Sequence, residues 1–148
     1  MRINFNGYFF AEEKNNLYFA LKVFEEYFTI DDTFILDLHS IDKQFSKELN
    51  RIHFKKNYST DVITLPIFDN LNSIKNFPNE NEMIIGDIFF CREIVKSNAK
   101  KYKKSLIEEL QLVLIHGLLH LLGFSHEKET KLKFYENKIL KKLWNEQI

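Results

Sequence analysis

The 148 residues predict an α+β fold, a small mixed β-sheet packed with helices in one domain spanning residues 1–148. Three observations predict it. Strand-like apolar runs stop at residue 91, and everything after them repeats its apolar residues at helical spacing, the order expected when helices pack on one mixed sheet. The composition supplies one core, with 45% hydrophobic residues that include fifteen Phe, six Tyr and one Trp. Four Gly and two Pro imply short loops, and no repeat, low-complexity tract or shift in composition marks a second domain.

Arg2 to Phe10 reads as the first strand. Ala11 to Phe28 places Leu17, Ala20, Leu21, Phe24, Tyr27 and Phe28 at helical spacing. Thr33 to Leu38 is a second strand, and Ser40 is the expected N-cap of a helix running to about Asn50. Asp61 to Phe68 is a third strand, carrying Val62, Ile63, Leu65 and Ile67. In Asp69 to Asn81, eight of thirteen residues are Asn, Asp, Glu or Pro, so this stretch reads as a surface loop. Glu82 to Cys91 is a fourth strand, too continuously apolar to be buried on one face only. Three helices follow: Arg92 to about Tyr102, Ser105 (a good N-cap) through Leu122, and Glu127 to Trp144.

The chemistry concentrates in residues 116–126, HGLLHLLGFSH, which hold three of the five histidines. His116 and His120 are four apart, about 40° around a helix, so both imidazoles can face one ion. His126 would lie roughly 15 Å up the axis if the helix continued. Gly123 can end the helix in the left-handed conformation and turn the chain back, so that three nitrogens converge with a fourth position left for water. That is the arrangement of a catalytic rather than a structural zinc site. The alternative is a pair of core histidines, but two buried imidazoles without partners would each carry a desolvation cost of a few kcal/mol, which a shared metal removes. Zinc peptidases of the HExxH kind carry a glutamate after the first histidine as general base; here that position is Gly117.

These residues resemble the YbeY-type endoribonucleases, single-zinc factors of ribosomal RNA maturation, whose signature is similar to HGxLHLxGxxH. His116, Gly117, Leu119, His120, Leu121, Gly123 and His126 stand in register with it. Leu49-Asn50 and the run Thr60 to Pro66 resemble the family's LN…TDVLSFP stretch, Gly86-Asp87-Ile88 its GDI strand, and Ser105 and Glu109 a serine and glutamate before the zinc helix. The resemblance covers the chain from about residue 33 onward. It implies a zinc-peptidase-like (metzincin-like) fold, one Zn²⁺ per chain, and partners among ribosomal RNA and small ribosomal subunit components. The chain departs from the family twice: Phe54 stands where the pattern has an arginine thought to serve phosphate, and Ser125 stands where it favours aspartate. A phenylalanine cannot make the forked contact of a guanidinium.

The expected activity is zinc-dependent, single-strand-specific cleavage of RNA phosphodiester bonds in ribosomal RNA maturation and ribosome quality control. His116, His120 and His126 would act through a metal-activated water, or the metal would assist attack by the RNA 2′-hydroxyl. Asp61 and Asp87 are candidates for proton handling or ligand orientation, more often strand anchors, while His39 and His53 read as surface or core residues. Net charge is zero, which does not announce a nucleic-acid binder. Locally, residues 92–104 hold Arg92, Lys96, Lys100, Lys101, Lys103 and Lys104 against Glu93 alone. Arg51, Lys55 and Lys56 form a second acid-free cluster. Arg51, Lys55, Lys56, Lys100, Lys101 and Lys104 are the expected contacts to RNA phosphates.

Two other classes compete. A metal-dependent peptidase or other hydrolase would need a base elsewhere than Gly117. A non-catalytic, zinc-containing ribosome-assembly factor would need no anion clamp. The opening MRINFNGYFF lacks a secretory pattern, no run reaches membrane-span length, and the single Cys91 cannot pair internally. A cytoplasmic protein is expected, with no membrane and no DNA among its partners.

Overall fold

The structure is a computed structural model that describes residues 1–78, 80–125 and 129–146. In chain order the elements are β1 (Arg2–Asn6), α1 (Ala11–Glu25), β2 (Phe34–Ile41), α2 (Lys43–Phe54), β3 (Val62–Pro66), α3 (Leu71–Lys75), β4 (Met83–Cys91), α4 (Arg92–Lys101), α5 (Leu106–Leu121) and α6 (Glu129–Glu146). Four strands form one sheet in the order β1-β2-β4-β3. β1, β2 and β4 run parallel, and the edge strand β3 runs antiparallel to β4. This is the expected α+β architecture, a mixed sheet with helices packed on it.

The parallel part of the sheet explains the apolar strands. Phe34, Leu36 and Leu38 of β2 and Ile85, Ile88 and Phe90 of β4 are buried in one core with Leu17, Ala20, Leu21 and Phe24 of α1 and Leu110, Leu114, Ile115 and Leu118 of α5. Leu132, Ile139, Leu140 and Leu143 of α6 close it from outside. Gln111 of α5, fully buried, ties three helices together: its Nε2 donates to the Asn16 carbonyl at 3.1 Å, and its Oε1 accepts from Trp144 Nε1 at 3.1 Å. Among the described residues no helix is long and apolar enough to cross a membrane.

Some boundaries differ from the sequence reading. β2 extends through Ser40, so that residue is strand and not a cap; Asp42 caps α2 instead, its Oδ1 accepting from Phe45 N at 2.8 Å. Parallel pairing out to Ile41↔Cys91 carries the strand past the point where its apolar alternation fades. The expected loop 69–81 contains the short helix α3, begun by Asn70, whose side chain accepts from Ser73 N at 2.9 Å, and anchored by buried Ile74. Arg92, read as part of a basic run, is withdrawn from it. Its guanidinium grips Glu13 at 2.6 and 2.8 Å and donates to the Tyr8 carbonyl at 2.8 Å.

Candidate metal centre

α5 begins with a reciprocal cap. Ser105 Oγ accepts from Glu108 N at 3.1 Å and Glu108 Oε1 accepts from Ser105 N at 3.0 Å, as the serine predicted. The helix then seats directly on the sheet because small residues line the contact. A Cβ at Gly117 would come within 2.8 Å of Ile88 Cδ1 and 3.2 Å of Thr64 Oγ1, and one at Gly86 within 2.5 Å of Leu121 Cδ2. Gly123, at φ +93°, ends the helix. Its N–H donates to His120 O at 3.0 Å and Phe124 N to Leu119 O at 3.1 Å, the doubled bonding of a left-handed helix terminus.

His116 and His120 therefore stand on one rigid face of α5, as their spacing predicts, both half-buried. Their Nε2 atoms are 3.0 Å apart and their rings cross at 70°. His116 Nδ1 lies 3.0 Å from Glu136 Oε2 on α6. A carboxylate only accepts, so it fixes the proton on Nδ1 and leaves the Nε2 lone pair facing His120. In the hydrogen bond between the two Nε2 atoms, one proton stands where a cation would satisfy both nitrogens. Tetrahedral zinc with bonds near 2.0 Å spaces its ligand atoms by about 3.3 Å, so the pair fits that ion with a small spread. His126, the expected third ligand, lies outside the described residues.

Glu136 escaped the sequence reading although a signal existed. It sits four residues from both Leu132 and Leu140, a carboxylate inside the buried stripe of α6. The other candidates separate. Asp61 Oδ1 accepts from Val62 N at 2.9 Å and its carbonyl from Cys91 N at 2.9 Å, so it anchors backbone at the start of β3. Asp87 is neighbour to Ile88, which faces α5, so strand alternation puts Asp87 on the opposite side of the sheet from the histidine pair. It is not a proton carrier for His116 or His120.

On that opposite side Asp87 meets two residues the sequence reading did not join to it. Asp37, His39 and Asp87 each offer a ligand atom within 4.8 Å of the others, a group compatible with a metal ion. His39 Nε2 is 2.8 Å from Asp87 Oδ1, its ring stacks on Phe89 at 4.1 Å, and Asn4 Nδ2 donates to Asp37 Oδ1 at 2.9 Å. The group exists because β4 carries one extra residue, Ile85, where Ile35↔Ile84 gives way to Leu36↔Gly86, which brings Asp37 opposite Asp87.

Some of the basic residues have carboxylate partners and others, among the described residues, do not pair. Arg51 pairs with Glu48 at 2.6 Å. Lys104 lies 3.9 Å from buried Glu109 and over the Trp144 ring. Lys96, Lys100 and Lys104, with Glu93, Ser97 and Leu106, line a cavity of about 600 Å³ between α4 and α5. Lys55, Lys56, Lys100 and Lys101 are exposed, and His53 is exposed beside the first two. Burial holds the Glu109 carboxyl above the ordinary range against the pull of Lys104, with Asp61 adding to the rise.

A family profile described as Endoribonuclease YbeY matches residues 10–144. A protein named Endoribonuclease YbeY from Thermotoga neapolitana is 36% identical over 110 residues, covering 72% of this chain and 65% of its own length. That of Karelsulcia muelleri is 37% identical over 121 residues, covering 79% and 76%. That of Caldicellulosiruptor bescii is 35% identical over 131 residues, covering 84% and 80%. The solution structure of TM1509 from Thermotoga maritima superposes with a TM-score of 0.64 over 98% of this chain and 91% of that one, at 24% identity, and so shares the fold.

Proposed function

The chain belongs to the YbeY endoribonuclease family, and from that premise we propose that it is a zinc-dependent endoribonuclease cutting single-stranded RNA in cytoplasmic ribosomal RNA maturation and ribosome quality control. The observation that carries the zinc is the paired Nε2 atoms of His116 and His120, 3.0 Å apart, with Nδ1 of His116 held by Glu136. His126 would complete the ligand set. Zinc, when bound, supplies a Lewis acid able to lower the pKa of water or polarise a phosphoryl oxygen.

The chain's own residues supply the rest. Glu136 orients His116 and keeps its proton away from the ligand nitrogen. Gly117 is wedged against Ile88 and Thr64, so the position beside the first histidine offers no carboxylate, which disfavours a peptidase. Lys55, Lys56, Lys100 and Lys101 are exposed to hold RNA phosphates, and ribosomal RNA with small-subunit components are the partners this reading gives the chain.

The test incubates zinc-loaded protein with single-stranded ribosomal RNA fragments, beside His120→Ala and a chelated control. Cleavage by the wild type alone supports the proposal. Intact RNA in every lane with one zinc per chain would instead make this a non-catalytic assembly factor. Glu136→Ala should weaken zinc affinity about 10- to 100-fold in competition with a coloured chelator.

A further inference from the structure

Residues 51–58, RIHFKKNY, are exposed without interruption from the last turn of α2 into the following loop. Ile52 is 58% exposed, Phe54 47% and Tyr58 54%. Single exposed apolar side chains are ordinary, but three within seven residues, interleaved with Arg51, Lys55 and Lys56 and with no acid in the segment, are a pattern.

The segment is also held still. Lys55 N donates to Arg51 O at 3.1 Å and Lys56 N to Asn50 O at 3.2 Å. Buried Asn50 donates from Nδ2 to Tyr58 O at 2.9 Å. Ser46 Oγ donates to Thr60 O at 2.9 Å while accepting from Thr60 N at 3.0 Å, and Ser59 Oγ donates to Lys43 O at 2.9 Å. Lys55 adopts φ 57°, ψ 33°, the left-handed conformation that ends α2, as Lys103 does at φ 55° beyond α4. Two exposed rings, Phe54 and Tyr58, and two exposed lysines, Lys55 and Lys56, on one hydrogen-bonded turn offer stacking faces and phosphate contacts together.

We infer that residues 51–58 form a stacking platform for unpaired RNA bases, with Phe54 and Tyr58 taking base faces and Lys55 and Lys56 the adjoining phosphates. Rings accept any base and lysines any phosphate, so the surface binds single strands without reading sequence, and a duplex, its base faces covered, is not a ligand for it. Because the loop is already ordered, little conformational freedom is lost on binding. This inference rests on the RNA reading above and adds to it how the strand is held.

The experiment titrates the zinc-loaded full chain into a fluorescein-labelled 2′-O-methyl oligonucleotide of about ten nucleotides, single-stranded or as a blunt duplex, and reads anisotropy. Phe54→Ala and Tyr58→Ala should each weaken single-strand binding by about 5- to 150-fold, and Phe54→Trp should retain it. Thermal melts unchanged from wild type would show that the exposed rings were not holding the fold. If wild type binds and cleaves RNA while both alanine variants bind equally well, the platform is overturned and the nuclease reading stands. If wild type neither binds the oligonucleotide nor cleaves RNA, both fall, and the exposed apolar surface belongs to a protein partner.

Discussion

Glu109 shows how a single side chain can work against the fold that holds it. It is 3% exposed, its Oε2 finds no hydrogen-bond donor among the described residues, and Lys104 Nζ lies 3.9 Å away, an ion-pair partner beyond hydrogen-bond reach. Burial raises its carboxyl above the ordinary value of 4.5, Lys104 offsets part of that, and Asp61 adds to the rise. The folded protein therefore takes up this proton at higher pH than the unfolded chain does. The contribution to stability is fully present below 4.5 and is lost as pH rises through the folded value. Glu109→Gln removes the buried charge without changing the shape. In urea denaturation it should match wild type near pH 4 and exceed it near pH 8. An unchanged difference across that range would mean that Glu109 is solvated in solution.

At the scale of elements, the placement of α5 decides where the histidines point. Its seat depends on Gly117 and Gly86, and the two are not equivalent. A methyl at Gly117 meets the far ends of the Ile88 and Thr64 side chains, and alanine gains helix propensity of about 1 kcal/mol over glycine. A methyl at Gly86 meets the Leu65 carbonyl oxygen at 2.8 Å, backbone that cannot rotate away. Gly86→Ala should cost about 2 kcal/mol or more, and Gly117→Ala about 1 kcal/mol or less, measured by chemical denaturation. The reverse order would mean that β3 yields more easily than the core beneath the helix. What the chain announced about these elements was local. Ser105 and Gly123 acted as caps because a cap needs only its own turn, and His116 and His120 met because four residues make a helical neighbour. What it hid was long-range. Glu136 reaches His116 from 20 residues away, and Asp37 meets Asp87 only through the skipped Ile85, a matter of sheet register. Arg92 looked like surface charge because its partner, Glu13, lies 79 residues distant.

For the whole molecule, the net charge of zero leaves no net-charge attraction to gather RNA from a distance. Affinity must come from exposed cations that lie along the strand's path, and the number that meet phosphates sets the salt dependence. Arg92 is gripped by buried Glu13 and Lys104 lies beside buried Glu109, so they add little, and the charge of exposed Arg51 is offset by its partner Glu48. Lys55, Lys56, Lys100 and Lys101 remain exposed. Each phosphate neutralised on a single strand contributes about −0.7 to the slope of log affinity against log salt, so four contacts give about −3. Lys55→Ala with Lys56→Ala should bring that slope down by about 1.4, and Arg51→Ala should leave it where it is. Titrating the labelled oligonucleotide into each protein between about 50 and 300 mM salt reads all three values. A wild-type slope near zero would mean that the lysines stay hydrated and that stacking alone holds the strand. A slope unmoved by the double substitution but abolished at Lys100 and Lys101 would shift the phosphate path from α2 to the cavity between α4 and α5. Either outcome depends on which cations the fold leaves free, which the balanced total of 21 bases and 21 acids conceals.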